Sequence, residues 1–208
     1  MGNRPDATRR TAIAVLLFGI GLLALPAGAG ARAADEAEIA RIQAYLNEVK
    51  SFEARFTQVA PDGSISQGRV LMRRPGRMRF EYDPPVPILL VADGNFFIFH
   101  DKELRQTSHI PLGSTPLAFL VREKIEFGES AGVSALTRGP GTLRLTVFDP
   151  KKPKEGSITL VFSEEPLALR QWVVEDAGGQ QTEVTLTEVR TNIPLKSDLF
   201  YFVDMGPR

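Results

Sequence analysis

The chain has 208 residues, 43% hydrophobic and 24% charged, with 25 basic and 25 acidic side chains and no cysteine. The even charge balance gives no reason to expect a nucleic-acid partner, and the missing thiols exclude disulfides, thiol chemistry and a cysteine-borne lipid anchor. What remains is one globular domain that must be held by its core alone, once the first segment is set aside.

That segment, residues 1–33, reads as a secretory signal peptide, with a basic start (Arg4, Arg9, Arg10), an apolar run from Thr11 to Leu25, then Pro26 and small residues. Ala31 and Ala33 suit a cut after Ala33; a cut after Ala31 stays open, as does twin-arginine export through Arg9-Arg10. The apolar run falls short of the roughly 20 residues that a membrane span needs. Its removal leaves a domain over 34–208 with 21 basic and 24 acidic groups, a net charge of −3. The expectation is a soluble exported protein.

Asp35 to Val49 has helical periodicity, with Ile39, Ile42, Tyr45, Leu46 and Val49 on one stripe. The period then becomes two: Phe52, Ala54 and Phe56 alternate with Glu53, Arg55 and Thr57, and Pro61-Asp62-Gly63-Ser64 breaks the run. The most legible stretch follows, over 68–82. Val70 and Met72 share a face before Pro75-Gly76, while Met78, Phe80 and Tyr82 share one after it, opposite Arg77, Arg79 and Glu81. This predicts an antiparallel hairpin with Arg74 at its mouth.

Ile88 to Ala92 and Phe96 to Phe99 flank a turn at Asp93-Gly94-Asn95 and are apolar on both faces, so something must cover the second face: another layer of core, or a ligand cavity. Leu104 to Ser108 predicts a weak strand. Ser114 or Thr115 before Pro116 marks a helix start, with Leu117 to Val121 behind it. Residues 128–141 are poorly patterned. Strands are then predicted at Leu143–Val147, Ile158–Phe162, Leu169–Val174, Val184–Leu186 and, last, Leu199–Val203. The total is ten or eleven strands and two or three helices in one domain.

Enzyme motifs are missing: no nucleophile elbow, phosphate loop, dinucleotide glycines or metal-spaced histidines. His100 and His109 could be drawn into a triad with Asp101 and Ser108 or Ser114, but nothing in the spacing fixes a nucleophile. Glu164-Glu165 sits in a turn. The reading is a non-enzyme without metal or cofactor.

Arg73-Arg74-Pro75-Gly76-Arg77-Met78-Arg79-Phe80-Glu81-Tyr82, with Ser51-Phe52, Ala54, Phe56 and Gln58 before it and Ala92-Asp93-Gly94, Gln106-Thr107 and Thr115-Pro116 after it, resembles the periplasmic outer-membrane lipoprotein carriers, the LolA family. The likeness runs over about 36–202. The chain departs from the family at Met78, where Phe is common, at Phe80, where Trp is common, and at Ile98 and His100, where an aromatic pair is usual. It also stops soon after Phe202, so the C-terminal extension that helps choose a partner is expected to be absent.

The resemblance implies an incomplete antiparallel β-barrel whose open apolar side is closed by helices acting as a lid. It further implies a monomeric periplasmic carrier that takes acylated lipoproteins from an inner-membrane ABC exporter to an outer-membrane acceptor or the outer membrane itself. A related lipid or glycolipid binder, or a lipoprotein sensor, is the alternative on the same fold. The acyl-chain cavity is expected from Val70, Met72, Met78, Phe80, Tyr82, Ile98, Leu145, Val147, Leu160 and Trp172, and the partner surface near Arg77 and Arg79. Arg74 matches the family arginine that latches the lid. Its planar fork of five donors suits the partnerless carbonyls of a helix end, and Arg73 is expected to be silent beside it.

Overall fold

The structure is a computed structural model that describes residues 27–128 and 131–202, so most of the signal-peptide segment lies outside the described residues. Helix α1, Ala27–Glu48, starts earlier than its apolar stripe and ends where the stripe does. Ile42, Leu46 and, just past its end, Val49 are buried, as amphipathic spacing requires.

Eleven strands follow among the described residues: β1 Ser51–Val59, β2 Ile65–Arg73, β3 Arg77–Tyr82, β4 Ile88–Asp93, β5 Phe96–Asp101, β6 Gln106–Pro111, β7 Gly132–Gly139, β8 Thr142–Phe148, β9 Gly156–Glu164, β10 Leu167–Asp176 and β11 Gln181–Thr191. They form one antiparallel sheet in the order β6-β5-β4-β3-β2-β1-β11-β10-β9-β8-β7. β6 and β7 are its two edges, so the barrel is incomplete. The predicted hairpin is β2–β3, with Val70 opposite Phe80 and Met72 opposite Met78.

Four expectations change. The weak strand expected at Leu104–Ser108 is β6, two residues later, with Leu104 exposed in the turn. The poorly patterned stretch contains β7, an edge strand whose register slips between Val133 and Ala135. The last predicted strand is instead a 3₁₀ turn, Ser197–Phe200, and its Val203 lies outside the described residues. The helix predicted after Thr115 is also 3₁₀, Pro116–Val121, with Thr115 before it and Pro116 in its first turn.

The sheet buries apolar side chains on both faces. On the inner face α1 and the 116–121 segment pack over the main cluster, which includes Phe52, Phe56, Met72, Phe80, Leu145, Leu160, Phe162 and Trp172. Gly68 faces the Phe56 ring on this side; a side chain there would collide with the ring and with the Glu81 carbonyl. The freed space lets Phe56 pack edge-on against Phe80 and Tyr82, at 5.4 and 5.1 Å.

On the outer face Leu71, Leu89, Val91 and Ile98 are buried outside the main cluster. The Ser197–Phe200 turn crosses β3 and β4 there, and the Phe200 side chain has no exposure at all. Another layer of protein thus covers the second face of the doubly apolar strands.

Candidate functional site

The inner cluster and its lid form the candidate site. Where β2 ends, the Arg74 backbone N–H donates to the Lys50 carbonyl (2.9 Å) and the Gly76 N–H donates to the Val121 carbonyl (2.7 Å). Gly76 has φ +72°, and a Cβ there would stand 2.8 Å from the Gly94 Cα. Only glycine lets the β2–β3 and β4–β5 turns approach this closely. The hairpin mouth is thereby brought against the end of the 116–121 segment.

Arg74 reaches the same place with its side chain: Nε donates to the Leu120 carbonyl at 3.1 Å. Its Nη1 is buried without a hydrogen-bond partner. Burial pushes the guanidinium down to about 10, since a charge away from water is disfavoured, yet it stays protonated at neutral pH. Lys or Leu could not make this contact with the same planar nitrogen. A 20 Å³ apolar void lies beside it, bounded by Tyr45, Leu46, Val49, Phe52, Met72 and Leu120 among others.

The rest of the lid is fastened by part-buried neutral bonds and, at the rim of α1, by exposed charged ones, Arg41 donating to the Glu164 carbonyl (2.8 Å) and Arg138 to Asp35 (2.6 Å). Asn47 on α1 donates to the Ile125 carbonyl (2.8 Å) and accepts from the Ile125 N–H (2.9 Å), while the Phe127 N–H donates to Gln43 (2.8 Å). The Leu169 N–H donates to the Tyr45 hydroxyl at 3.0 Å. None of these residues was singled out from sequence as a lid contact. Polar positions on an amphipathic helix look alike whether they face water or a loop.

Val70, Met72, Met78, Phe80, Leu145, Val147, Leu160 and Trp172 come together in the inner cluster, each at most 3% exposed. Phe80 packs edge-on against Trp172 at 6.3 Å. Tyr82 packs against the cluster and donates its hydroxyl to Gln58 (2.8 Å); burial pushes it up to about 12. Ile98 does not join them, because it pairs with Val91 on the outer face. The lid residues Phe119, Leu120 and Val121, and Phe52 and Phe56 of β1, belong to the cluster too. The Phe52–Ala54–Phe56 alternation was the signal for the latter pair.

Arg77 and Arg79, expected at a partner surface, meet the C-terminal segment. Arg77 lies over the Tyr201 ring (5.8 Å), and Arg79 donates to Glu81 (2.7 Å) and to the Leu199 carbonyl (3.1 Å). Arg73 is tied there as well, donating to the Leu195 carbonyl (2.8 Å) and lying over the Phe200 ring (5.2 Å). Of the two histidines, His100 bonds the Thr107 hydroxyl (3.0 Å) and packs on Phe202, and His109 packs edge-on against Phe96.

A profile described as "Outer membrane lipoprotein carrier protein LolA" matches residues 47–203. The chain belongs to that family. It is 34% identical over 193 residues to an outer-membrane lipoprotein carrier protein of Methylibium petroleiphilum, covering 87% of this chain and 91% of the relative. It is 30% identical over 207 residues to the protein so named in Nitrosomonas europaea, covering 90% and 92%. Among solved structures it is similar to the LolA superfamily protein NE2245 of Nitrosomonas europaea at a TM-score of 0.42 and 12% identity, covering 78% of this chain and 97% of that one, a distant likeness. The open eleven-stranded sheet is the architecture expected of a LolA-family chain.

Proposed function

We propose that this LolA-family chain is a periplasmic carrier, exported by residues 1–33, that shelters the acyl chains of lipoproteins between its lid and the inner face of its sheet. It takes them from an inner-membrane ABC exporter and hands them to an outer-membrane acceptor or to the outer membrane itself. The observation that carries the reading is the Arg74 contact with Leu120, which ties the lid over a wholly apolar interior by a bond that leaves one guanidinium nitrogen unsatisfied.

The energetics explain why such a tie is useful. A buried methylene contributes about 0.8 kcal/mol, so a chain of about fifteen gains roughly 12 kcal/mol before the costs of ordering, which would make release slow. A lid that closes by itself lowers that affinity, because the closed state competes with the loaded one. A hydrogen bond from a charged group is worth about 1.5–3 kcal/mol, and the desolvation of Arg74 subtracts from it. Arg74 is therefore a modest counterweight, one that helps eject cargo without forbidding uptake. Val70, Met72, Met78, Phe80, Tyr82, Leu145, Val147, Leu160 and Trp172 supply the wall in this reading, and Ile98 does not.

The test is transfer of a purified acylated lipoprotein. Arg74→Leu is expected to load, with affinity raised about tenfold, and to hold its cargo. Arg144→Leu, on an exposed position of β8, serves as the control, since Arg73 holds the C-terminal segment. Transfer by Arg74→Leu at the control rate would overturn the latch; failure of the wild-type protein to bind acylated lipoprotein would overturn the carrier.

A further inference from the structure

A cleft of about 520 Å³ opens beside the lid, within the size range of a small-molecule site. One wall is the 112–121 connection and the other is the β8–β9 loop with the ends of its strands. Its floor is apolar: Phe119 and Val121 of the lid face Val147 and Ile158 of the sheet, and all four belong to the inner cluster. Its rim is ionic, with Arg122 beside Asp149 (3.9 Å), and Lys152 bonded to Glu155 (3.0 Å) and to the Gly113 carbonyl (3.4 Å). Polar rim over apolar floor orients an amphiphile with its head outward and its tails toward the cluster.

Thr115 also lines this cleft, and its hydroxyl is buried without a partner. Among the described residues only two buried side-chain polar atoms are left unpaired. Arg74 Nη1 stands at the C-terminal end of the 116–121 segment and Thr115 Oγ1 stands at its start. Thr115 precedes a helical turn, where a threonine would be expected to cap, yet it makes no capping bond. A buried hydroxyl with no protein partner is costly, and a ligand acceptor that reaches it gains by as much.

We infer that this cleft is the seat of the polar junction of the cargo, and that the Thr115 hydroxyl donates there to an ester or amide carbonyl linking acyl chain to head. The inference rests on the carrier reading and adds to it a discrimination by linkage chemistry. A carbonyl oxygen is a better acceptor than an ether oxygen in the same place, so ester-linked chains bind more tightly than ether-linked chains of equal length. Hydrocarbon burial alone would not distinguish them.

The probes are two synthetic peptides bearing a glyceryl-cysteine, one carrying two palmitoyl esters and the other two hexadecyl ethers, measured by equilibrium displacement of a fluorescent fatty acid. Wild-type protein is expected to prefer the ester about five- to tenfold, the worth of one neutral hydrogen bond. Thr115→Val should bind both equally and be at least as stable as wild type when empty, while Thr115→Ser should keep the preference. Equal binding of the two probes by wild type, or a preference surviving in Thr115→Val, would overturn the inference while leaving the carrier standing. Binding of neither probe would overturn both.

Discussion

The two faces of the sheet are each covered, and they are covered in opposite ways. On the inner face the lid rests on apolar contact, neutral hydrogen bonds, exposed charged ties at the rim of α1 and one buried arginine, Arg74, that is left partly unsatisfied. On the outer face a short C-terminal segment is stitched down by arginines: Arg73 and Arg79 reach its carbonyls, and Arg73 and Arg77 lie over its rings. In the carrier reading, the cover that lifts keeps one buried arginine nitrogen unmet, and the cover that stays has its arginines partnered. Polar accounting separates the two where apolar burial, nearly complete under both, does not.

The largest effect should come from the outer cover. Phe200→Ala removes a ring with no exposure and is expected to cost about 3–4 kcal/mol in urea unfolding, the usual loss for a buried aromatic. A loss below about 1 kcal/mol would mean that the segment merely rests on the sheet. Next, two arginine-to-leucine changes should differ in whether cargo erases their cost. Arg79→Leu strips the bonds to Glu81 and Leu199 and should cost about 1–2 kcal/mol, with faster proteolysis near residue 199. Arg74→Leu removes the bond to Leu120 and should cost about 1.4 kcal/mol in the empty protein, the equivalent of its tenfold gain in affinity, with no cost once cargo is bound. If the Arg74→Leu cost persists in the loaded protein, the contrast between the covers fails.

The smallest effect is in acid. Burial alone would raise Glu81, but hydrogen bonds from Arg79 and Arg69 hold it below the usual carboxylate range. Its contribution is therefore present at neutral pH, above the unfolded value of about 4.3, and is lost as pH falls through the lower folded value. The partners are partly exposed, so the amount is under about 1 kcal/mol. Unfolding free energy measured from pH 7 to 3 should fall less steeply in Glu81→Gln than in wild type; parallel curves would remove Glu81 from the outer stitching.

Much of the fold was legible because its strands are half-wet. The β2–β3 hairpin alternates cleanly, so both its register and the position of Arg74 at its mouth could be read. Where both faces are apolar, alternation is silent about direction, and Ile98 was assigned to the wrong one. Leu199 to Val203 is one apolar run, as a buried strand would be, yet the chain turns at Ser197–Phe200 and Phe200 anchors it. β7 escaped because it is an edge strand with a slipped register and no buried side chain. The cleft at Thr115 had no signature, since the β8–β9 loop that forms its far wall is distant along the chain.

The strand order makes the molecule, viewed as a polymer, close to two independent ribbons. Among the described residues nine of the ten ladders join strands adjacent in sequence, and only β1–β11 joins strands far apart. That ladder is also the only hydrogen-bonded seam between the β1–β6 and β7–β11 meanders, and it carries a bulge between Glu53 and Arg55 facing the positive-φ residue Glu188. Within the sheet, long-range chain entropy is thus spent at a single closure, whose cost grows only with the logarithm of the loop it spans. The remaining ladders are local, a condition that favours fast folding even in an all-β sheet, and the lid and the Ser197–Phe200 turn dock across them.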